Sequence, residues 1–243
     1  MQPEDLANLA TAVALFLTSV ILIALAVMIK KPNKEYLQRG VGITRTSTIL
    51  LGVFLLVHSF YHVSEFIGND FFSDDIIEPA SILLLLAFSI YVKTHVFVPR
   101  SPKSQKEILT KKVIAEDSSS RVIPLVFAIP LLMMSLSFFT TDNVAELFSM
   151  GGILASVAMF GWMALKNPSP SSLHFQFAII VLVWAAAEIP QGLSTLGFLS
   201  LGGVDTYGTW VHFVSMALIG AFICLRTLRI VLFSPKIDPN FIK

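Results

Sequence analysis

The sequence predicts an all-α integral membrane protein: a bundle of seven transmembrane helices with its N-terminus outside and its C-terminus in the cytoplasm. Of the 243 residues, 55% are hydrophobic and only 14% are charged, which is too apolar for an ordinary soluble domain. A hydrocarbon core of about 30 Å requires about 20 mainly apolar residues per helix, and seven stretches meet this requirement. All 17 lysines and arginines fall on one side of the resulting topology, and this asymmetry sets its orientation.

The predicted spans follow one another through a single membrane domain, residues 1–243. In chain order they are 6–29, 46–68, 76–98, 122–140, 144–165, 173–199 and 208–233. The first follows Met-Gln-Pro-Glu-Asp, which lacks the positive n-region of a signal peptide, so we expect this span to be retained. The fourth contains two prolines and no charge, which is typical of a packing helix with one face on lipid. The longest connection, 99–121, is polar, and most of the other connections are short, which predicts antiparallel neighbours.

The basic residues determine the orientation because Lys and Arg collect in cytoplasmic loops. They lie at the inner ends of the first, third, fifth and seventh spans or in the segments that follow them: Lys30, Lys31, Lys34, Arg39, Arg45, Lys93, Arg100, Lys103, Lys106, Lys111, Lys112, Arg121, Lys166, Arg226, Arg229, Lys236 and Lys243. The N-terminus and the three remaining loops carry acidic residues and no basic ones. The net charge of +1 hides this polarity. A basic inner face suits anionic lipid headgroups, and nothing in it indicates nucleic-acid binding.

Ionisable residues inside the hydrocarbon region are costly and usually mark a functional site. The second span contains His58, His62 and Glu65 at spacing i, i+4 and i+7, so the three share one helical face. At about 1.5 Å per residue, they lie about 18, 24 and 28 Å from the cytoplasmic end of the span. An i, i+4 histidine pair is a good metal chelate, and a nearby carboxylate is a suitable third ligand or supporting partner.

Three further residues are expected at a similar depth. Glu188 lies about 22 Å up the sixth span. Glu78 and His212 lie just inside the outer ends of the third and seventh spans. Three histidines and three glutamates from four helices are therefore predicted to converge in the outer third of the membrane.

The predicted chemistry of this group is a divalent metal site, with zinc or copper favoured by imidazole ligands. The alternatives are a His–Glu network without metal, structural or proton-carrying, and a polar ligand pocket. Haem ranks with the ligand pocket behind the other two; it needs axial histidines on facing helices, which His58 or His62 opposite His212 would supply. Cys224 is the only cysteine, so neither an intrachain disulfide nor a multi-thiolate site is expected.

Two families share features with the chain. The topology resembles that of microbial rhodopsins, whose retinal needs a lysine in the last helix; residues 208–233 contain none, so retinal is not expected. The element Ser-Phe-Tyr-His at 59–62, followed by Asp74 and Asp75, resembles the alkaline ceramidase and adiponectin-receptor superfamily of zinc hydrolases. Members of that superfamily carry a His-x-x-x-His pair in the last span, whereas here the pair is in the second, so we assign no family.

The expected function is that of a non-catalytic subunit of a larger complex in the cell membrane, because no nucleophile–base pair stands apart from the candidate ligands. One alternative is a membrane metalloenzyme in which metal-bound water attacks the substrate. Another is a seven-helix sensor that signals through a partner at the 99–121 loop. The expected partners are the lipid bilayer and either other membrane subunits or a second copy of the chain.

Overall fold

The computed structural model describes residues 3–29, 44–97, 142–168, 172–199 and 204–233, and the regular structure within these ranges is entirely helical. Six helical segments in them are long and apolar enough to cross a membrane, as in a multi-pass membrane protein. The helices are α1 (Pro3–Met28), α2 (Arg45–Phe66), α3 (Glu78–Tyr91), α4 (Asp142–Lys166), α5 (Leu173–Thr195) and α6 (Val204–Phe233). The predicted spans other than 122–140 correspond to these helices within a few residues, except that α3 ends seven residues before the predicted third span does. The span 122–140 lies outside the described ranges.

The third span is longer than its α-helical part. A single turn, Asp70–Phe72, leads into a π-helical turn, Ser73–Ile77, and a second π-helical turn, Val92–Val96, follows α3. The hydrophobic segment is therefore Ser73–Val96. In the most apolar 18-residue stretch of this segment, 78% of the residues are buried, against 33% in the corresponding stretches of α1 and α4. The third span is therefore the most enclosed of the spans described.

Local signals in the sequence account for the helix ends near the site. The start of α2 carries a capping box: the Ser47 amide donates to Thr44 Oγ1 at 3.1 Å, and the Thr44 amide donates to Ser47 Oγ at 2.9 Å. At the other end the chain leaves α2 through Gly68, whose φ of +70° is readily adopted only by glycine. Ser172 caps α5 by accepting from the Phe175 amide at 3.3 Å.

The six helices pack as a closed ring. Each packs against the next helix along the chain, and α6 packs against α1. The ring is filled by large apolar side chains, including the fully buried Phe54, Phe88, Phe160, Phe177 and Trp184. This arrangement turns faces of α2 and α6 toward the interior, although α1 separates the two helices around the ring.

The helices α3 and α4 run in the same direction. Near the start of α3, Ile82 lies so close to Gly152 of α4 that a Cβ on the glycine would clash with the isoleucine side chain. Past the end of α3, the ring of Phe97 lies 5.6 Å from that of Trp162, which is ten residues farther along α4 than Gly152. Residue numbers therefore rise together along the contact, which defines a parallel pair.

Candidate metal centre

Three buried histidines bring their Nε2 atoms together inside the ring. His212 Nε2, from α6, lies 2.9 Å from His58 Nε2 and 3.0 Å from His62 Nε2, both of which come from α2. The three side chains are only 1%, 3% and 5% exposed for His58, His62 and His212. Their ligand atoms all lie within 4.8 Å of one another, so they are close enough to bind one metal ion. We call this group the histidine tripod.

The two histidines of α2 are each held through the other ring nitrogen. His58 Nδ1 lies 3.1 Å from Ser81 Oγ in α3, and His62 Nδ1 lies 3.0 Å from Asn8 Oδ1 in α1. The Ser81 hydroxyl donates to the backbone carbonyl of Glu78 at 2.8 Å, so its oxygen is left to accept from His58. Both Nδ1 atoms therefore donate, and the lone pair of each ring lies on Nε2.

His212 has a charged partner. Its Nδ1 contacts Glu188 Oε1 from α5, and the same carboxylate oxygen accepts from Trp184 Nε1 at 3.0 Å. A histidine that gives its Nδ1 hydrogen to a carboxylate has a fixed tautomer and a more basic Nε2, as is usual for metal-ligating histidines. When the three rings of the tripod are neutral, this pattern of partners leaves each Nε2 lone pair directed toward the other two rings.

The separations fit a metal ion with imidazole ligands. With Zn–N bonds of about 2.0–2.1 Å, ligand nitrogens of a tetrahedral site lie about 3.3 Å apart. The two separations observed from His212 are 2.9 and 3.0 Å, within a few tenths of an ångström of that value. Lone pairs of neutral rings at this distance repel one another, and a proton or a metal ion between the nitrogens relieves that repulsion.

Aromatic rings surround the tripod and fix its orientation. Phe54, one turn before His58 in α2, and Tyr61, one turn after it, both stack on the His58 ring, with ring centroids at 5.7 and 5.4 Å. Trp184 meets His58 edge-on at 5.5 Å and His212 at 5.8 Å. These contacts exclude water from the imidazoles and restrict their rotation, which preorganises the nitrogens for a ligand.

The carboxylates predicted for the site take other positions. Glu188 touches the outer nitrogen of His212 and not the shared centre. In the described part of the chain the group within 4.8 Å consists of the histidines alone, without Glu65 or Glu78. Ser81, one turn deeper than Glu78, takes the place beside His58. The predicted convergence of three glutamates on one centre with the histidines therefore does not appear in this geometry.

Two residues of the site, Asn8 and Ser81, were not predicted from the sequence. Asn8 is the only amide side chain in the predicted first span, and a polar amide inside hydrocarbon usually bonds another helix. That signal was available for Asn8. Ser81 has no comparable signal, because an isolated serine in an apolar helix usually bonds its own backbone, as Ser89 does with Leu85.

The remaining two histidines lie elsewhere. His174 is buried near the opposite end of α5, and its Nε2 lies 3.1 Å from the Asn167 carbonyl oxygen. His95 lies in the π-helical turn after α3 and stacks on Tyr91 at 4.6 Å. Both lie at the helix ends predicted to be cytoplasmic, and His174 provides a matched control for the tripod.

Comparisons with protein-family models, with curated proteins and with solved structures each found no match. The assignment of a function therefore depends on the geometry of the tripod and on the direction of the helices.

Proposed function

We propose that the protein is a seven-span protein of the cell membrane that holds one divalent transition-metal ion, zinc or copper, between the Nε2 atoms of His58, His62 and His212. The observation that carries the proposal is the convergence of three Nε2 atoms whose rings are each fixed through Nδ1. Imidazole nitrogens favour zinc and copper over magnesium and calcium, which prefer oxygen ligands.

The parallel pair α3 and α4 supports the seventh span. Two parallel helices that both cross a membrane begin on the same side, so the chain between them has to return across the bilayer. The intervening residues 98–141 contain the apolar stretch 122–140, which is long enough for one crossing. With that crossing, the distribution of Lys and Arg orients the N-terminus outward, and the tripod lies in the outer third of the bilayer.

The role proposed for the ion is non-catalytic. Its ligands come from α2 and α6, and the residues that hold those ligands come from α1, α3 and α5. A bound ion therefore links five helices, and each of its three histidine ligands is 5% exposed or less. Such a centre stabilises one arrangement of the bundle, and within a larger membrane complex it can anchor a subunit or relay metal. Purification in mild detergent tests this role by asking whether other subunits or a second copy remain bound.

A membrane metalloenzyme is the second candidate, and one observation favours it. Three protein ligands leave a fourth coordination position open, as in catalytic zinc sites, where the metal activates a bound water. Cobalt substitution separates the two roles: a small anion such as azide changes the visible spectrum of the cobalt protein when an open position exists. An unchanged spectrum supports the non-catalytic centre.

The primary test is elemental analysis of protein purified in detergent without chelators. The wild type is expected to contain close to one equivalent of zinc or copper. The double variant His58→Ala/His62→Ala is expected to contain none, while His174→Gln, which alters a buried histidine outside the tripod, keeps the metal. A folded wild type that stays metal-free after incubation with zinc or copper contradicts the proposal.

A further inference from the structure

The partners of the three Nδ1 atoms set the charge of the tripod. The hydroxyl of Ser81 and the amide oxygen of Asn8, which hold the two histidines of α2, are neutral groups. Only the partner of His212 is a carboxylate, and Glu188 Oε1 also accepts from Trp184 Nε1, as an ionised acid does. Three neutral imidazoles and their hydrogen-bond partners therefore carry one negative charge in total.

The charge of the site decides which ion it holds at the lowest cost. A charge that is left unbalanced in a buried, apolar site is costly. A divalent ion beside the single carboxylate leaves one positive charge unbalanced, whereas a monovalent ion leaves none. The three ligands are each 5% exposed or less, so outside water does little to screen the difference. The balance of charge therefore favours a monovalent ion.

The number of ligands favours the same kind of ion. In the described ranges no further histidine, cysteine or carboxylate joins the three histidines within 4.8 Å. Zn²⁺ almost always takes four ligands, so at the tripod it needs a water molecule or an anion as the fourth. Imidazole also suits copper, and Cu⁺, a closed-shell ion, is stable with three ligands. Because aromatic rings exclude water from His58, an ion without a water ligand fits the site better.

We propose that the tripod binds Cu⁺ more tightly than Cu²⁺ and that Asn8 determines this preference. The inference rests on the proposed function, because it requires that the tripod bind a transition-metal ion, and it adds a monovalent ion to the divalent ions considered there. Asn8 occupies the position where a second carboxylate would balance a divalent ion. Its amide oxygen gives His62 the same hydrogen bond without the charge.

The effect of a charge at position 8 follows from its distance to the ion. The hydrogen bond of 3.0 Å, the imidazole ring and a metal–nitrogen bond together place the Asn8 side chain about 6–7 Å from the centre of the tripod. At an effective dielectric constant of about 20, one unit charge at that distance changes the affinity for a divalent ion, relative to a monovalent one, by about 10- to 100-fold. Asn8→Asp adds this charge and keeps an oxygen acceptor, so it is expected to shift the preference toward Cu²⁺.

The test is a redox titration of detergent-purified protein loaded with copper, in which the Cu²⁺ signal is followed by electron paramagnetic resonance. The potential of the bound copper, relative to that of the aqueous copper couple, gives the ratio of the Cu⁺ and Cu²⁺ affinities. The wild type is expected to have a potential above that of the aqueous couple. Asn8→Asp is expected to lower the potential by about 59–118 mV, which is the change of about 10- to 100-fold converted at 59 mV per factor of ten.

Two further variants control for other effects of the substitution. Gln176→Glu adds a carboxylate near the beginning of α5, where Gln176 accepts from Arg226 at 2.6 Å. Position 176 lies about 18 Å along the helix from Glu188, so this variant is expected to keep the wild-type potential. Glu188→Gln removes the existing charge, and its potential is expected to rise, opposite to that of Asn8→Asp.

The outcomes separate this inference from the proposed function. A folded wild type that binds neither zinc nor copper overturns the proposed function, and the preference with it. Bound copper with a potential at or below that of the aqueous couple leaves the tripod in place and overturns the preference for Cu⁺.

The role of Asn8 has outcomes of its own. A high wild-type potential that falls in Asn8→Asp and not in Gln176→Glu supports it. An unchanged potential in Asn8→Asp, or an equal fall in Gln176→Glu, overturns it. If Asn8→Asp does not fold, Glu188→Gln decides, because an unchanged or lower potential in that variant contradicts the argument from charge.

Discussion

Replacing Glu188 tests whether a carboxylate outside the metal centre holds a ligand in place. Its Oε1 accepts from His212 Nδ1 and from Trp184 Nε1, and Glu188→Ala removes both bonds while leaving the three Nε2 ligands intact. A hydrogen bond to a charged group contributes about 1.5–3 kcal/mol, and each 1.4 kcal/mol corresponds to about tenfold in affinity. We therefore expect Glu188→Ala to bind zinc about 10- to 100-fold more weakly, the range typical for partners of metal-ligating histidines.

Two further variants separate orientation from charge in this prediction. Glu188→Gln retains an oxygen acceptor for His212 and loses the negative charge, so its affinity is expected to fall about tenfold or less. Trp184→Phe keeps an aromatic ring beside the tripod and removes only the second donor to the carboxylate, so a smaller loss is expected. Competition with a chromophoric chelator measures the affinities, and circular dichroism checks the fold. Wild-type affinity in folded Glu188→Ala would refute the reasoning, because His212 would then need no partner at Nδ1.

Three other predictions follow from the same geometry. Because Trp184 lies against two of the tripod rings, Cu²⁺ is expected to quench part of the tryptophan fluorescence, and Trp184→Phe should abolish that part. A bound ion stabilises the folded state by about 2.7 kcal/mol at 100 times its Kd, so a strong chelator should lower the Tm of the wild type but not that of the double alanine variant of the α2 histidines. In Gly152→Ala the new methyl clashes with α3, and a loss of about 1–3 kcal/mol is expected in thermal unfolding. The adjacent Gly151→Ala meets nothing within 4 Å, so its stability should be unchanged or up to about 1 kcal/mol higher.

The helices were largely predictable because the membrane imposes a length and a composition that are visible in sequence. Six predicted spans coincide with described helices within a few residues. The π-helical turns around α3 were not predicted, because one extra residue in a turn leaves the hydrophobic pattern almost unchanged. The closed ring was also not predicted: hydropathy reports which segments enter the membrane and carries no information on which ones touch.

Within the site, spacing was a better guide than depth. The i, i+4 spacing of His58 and His62 correctly indicated one shared face, and both rings reach His212. Glu78 was expected at the centre because it begins the third span at nearly the right depth. A shift of one helical turn, about 5.4 Å, is enough to replace it by Ser81. Helix rotation and depth at that scale depend on packing against neighbouring helices, which a single sequence does not specify.

A metal ion and a network of histidines and a glutamate without one differ in what lies at His212 Nε2. In such a network a proton on His212 Nε2 relieves the repulsion, with Glu188 balancing the charge, and the separations of 2.9 and 3.0 Å from the two α2 nitrogens are then N–H···N hydrogen bonds. In a metal centre the same nitrogen carries no proton, because a ligating imidazole is neutral. The three rings are close enough for either arrangement, so the metal content of the purified wild type decides between them.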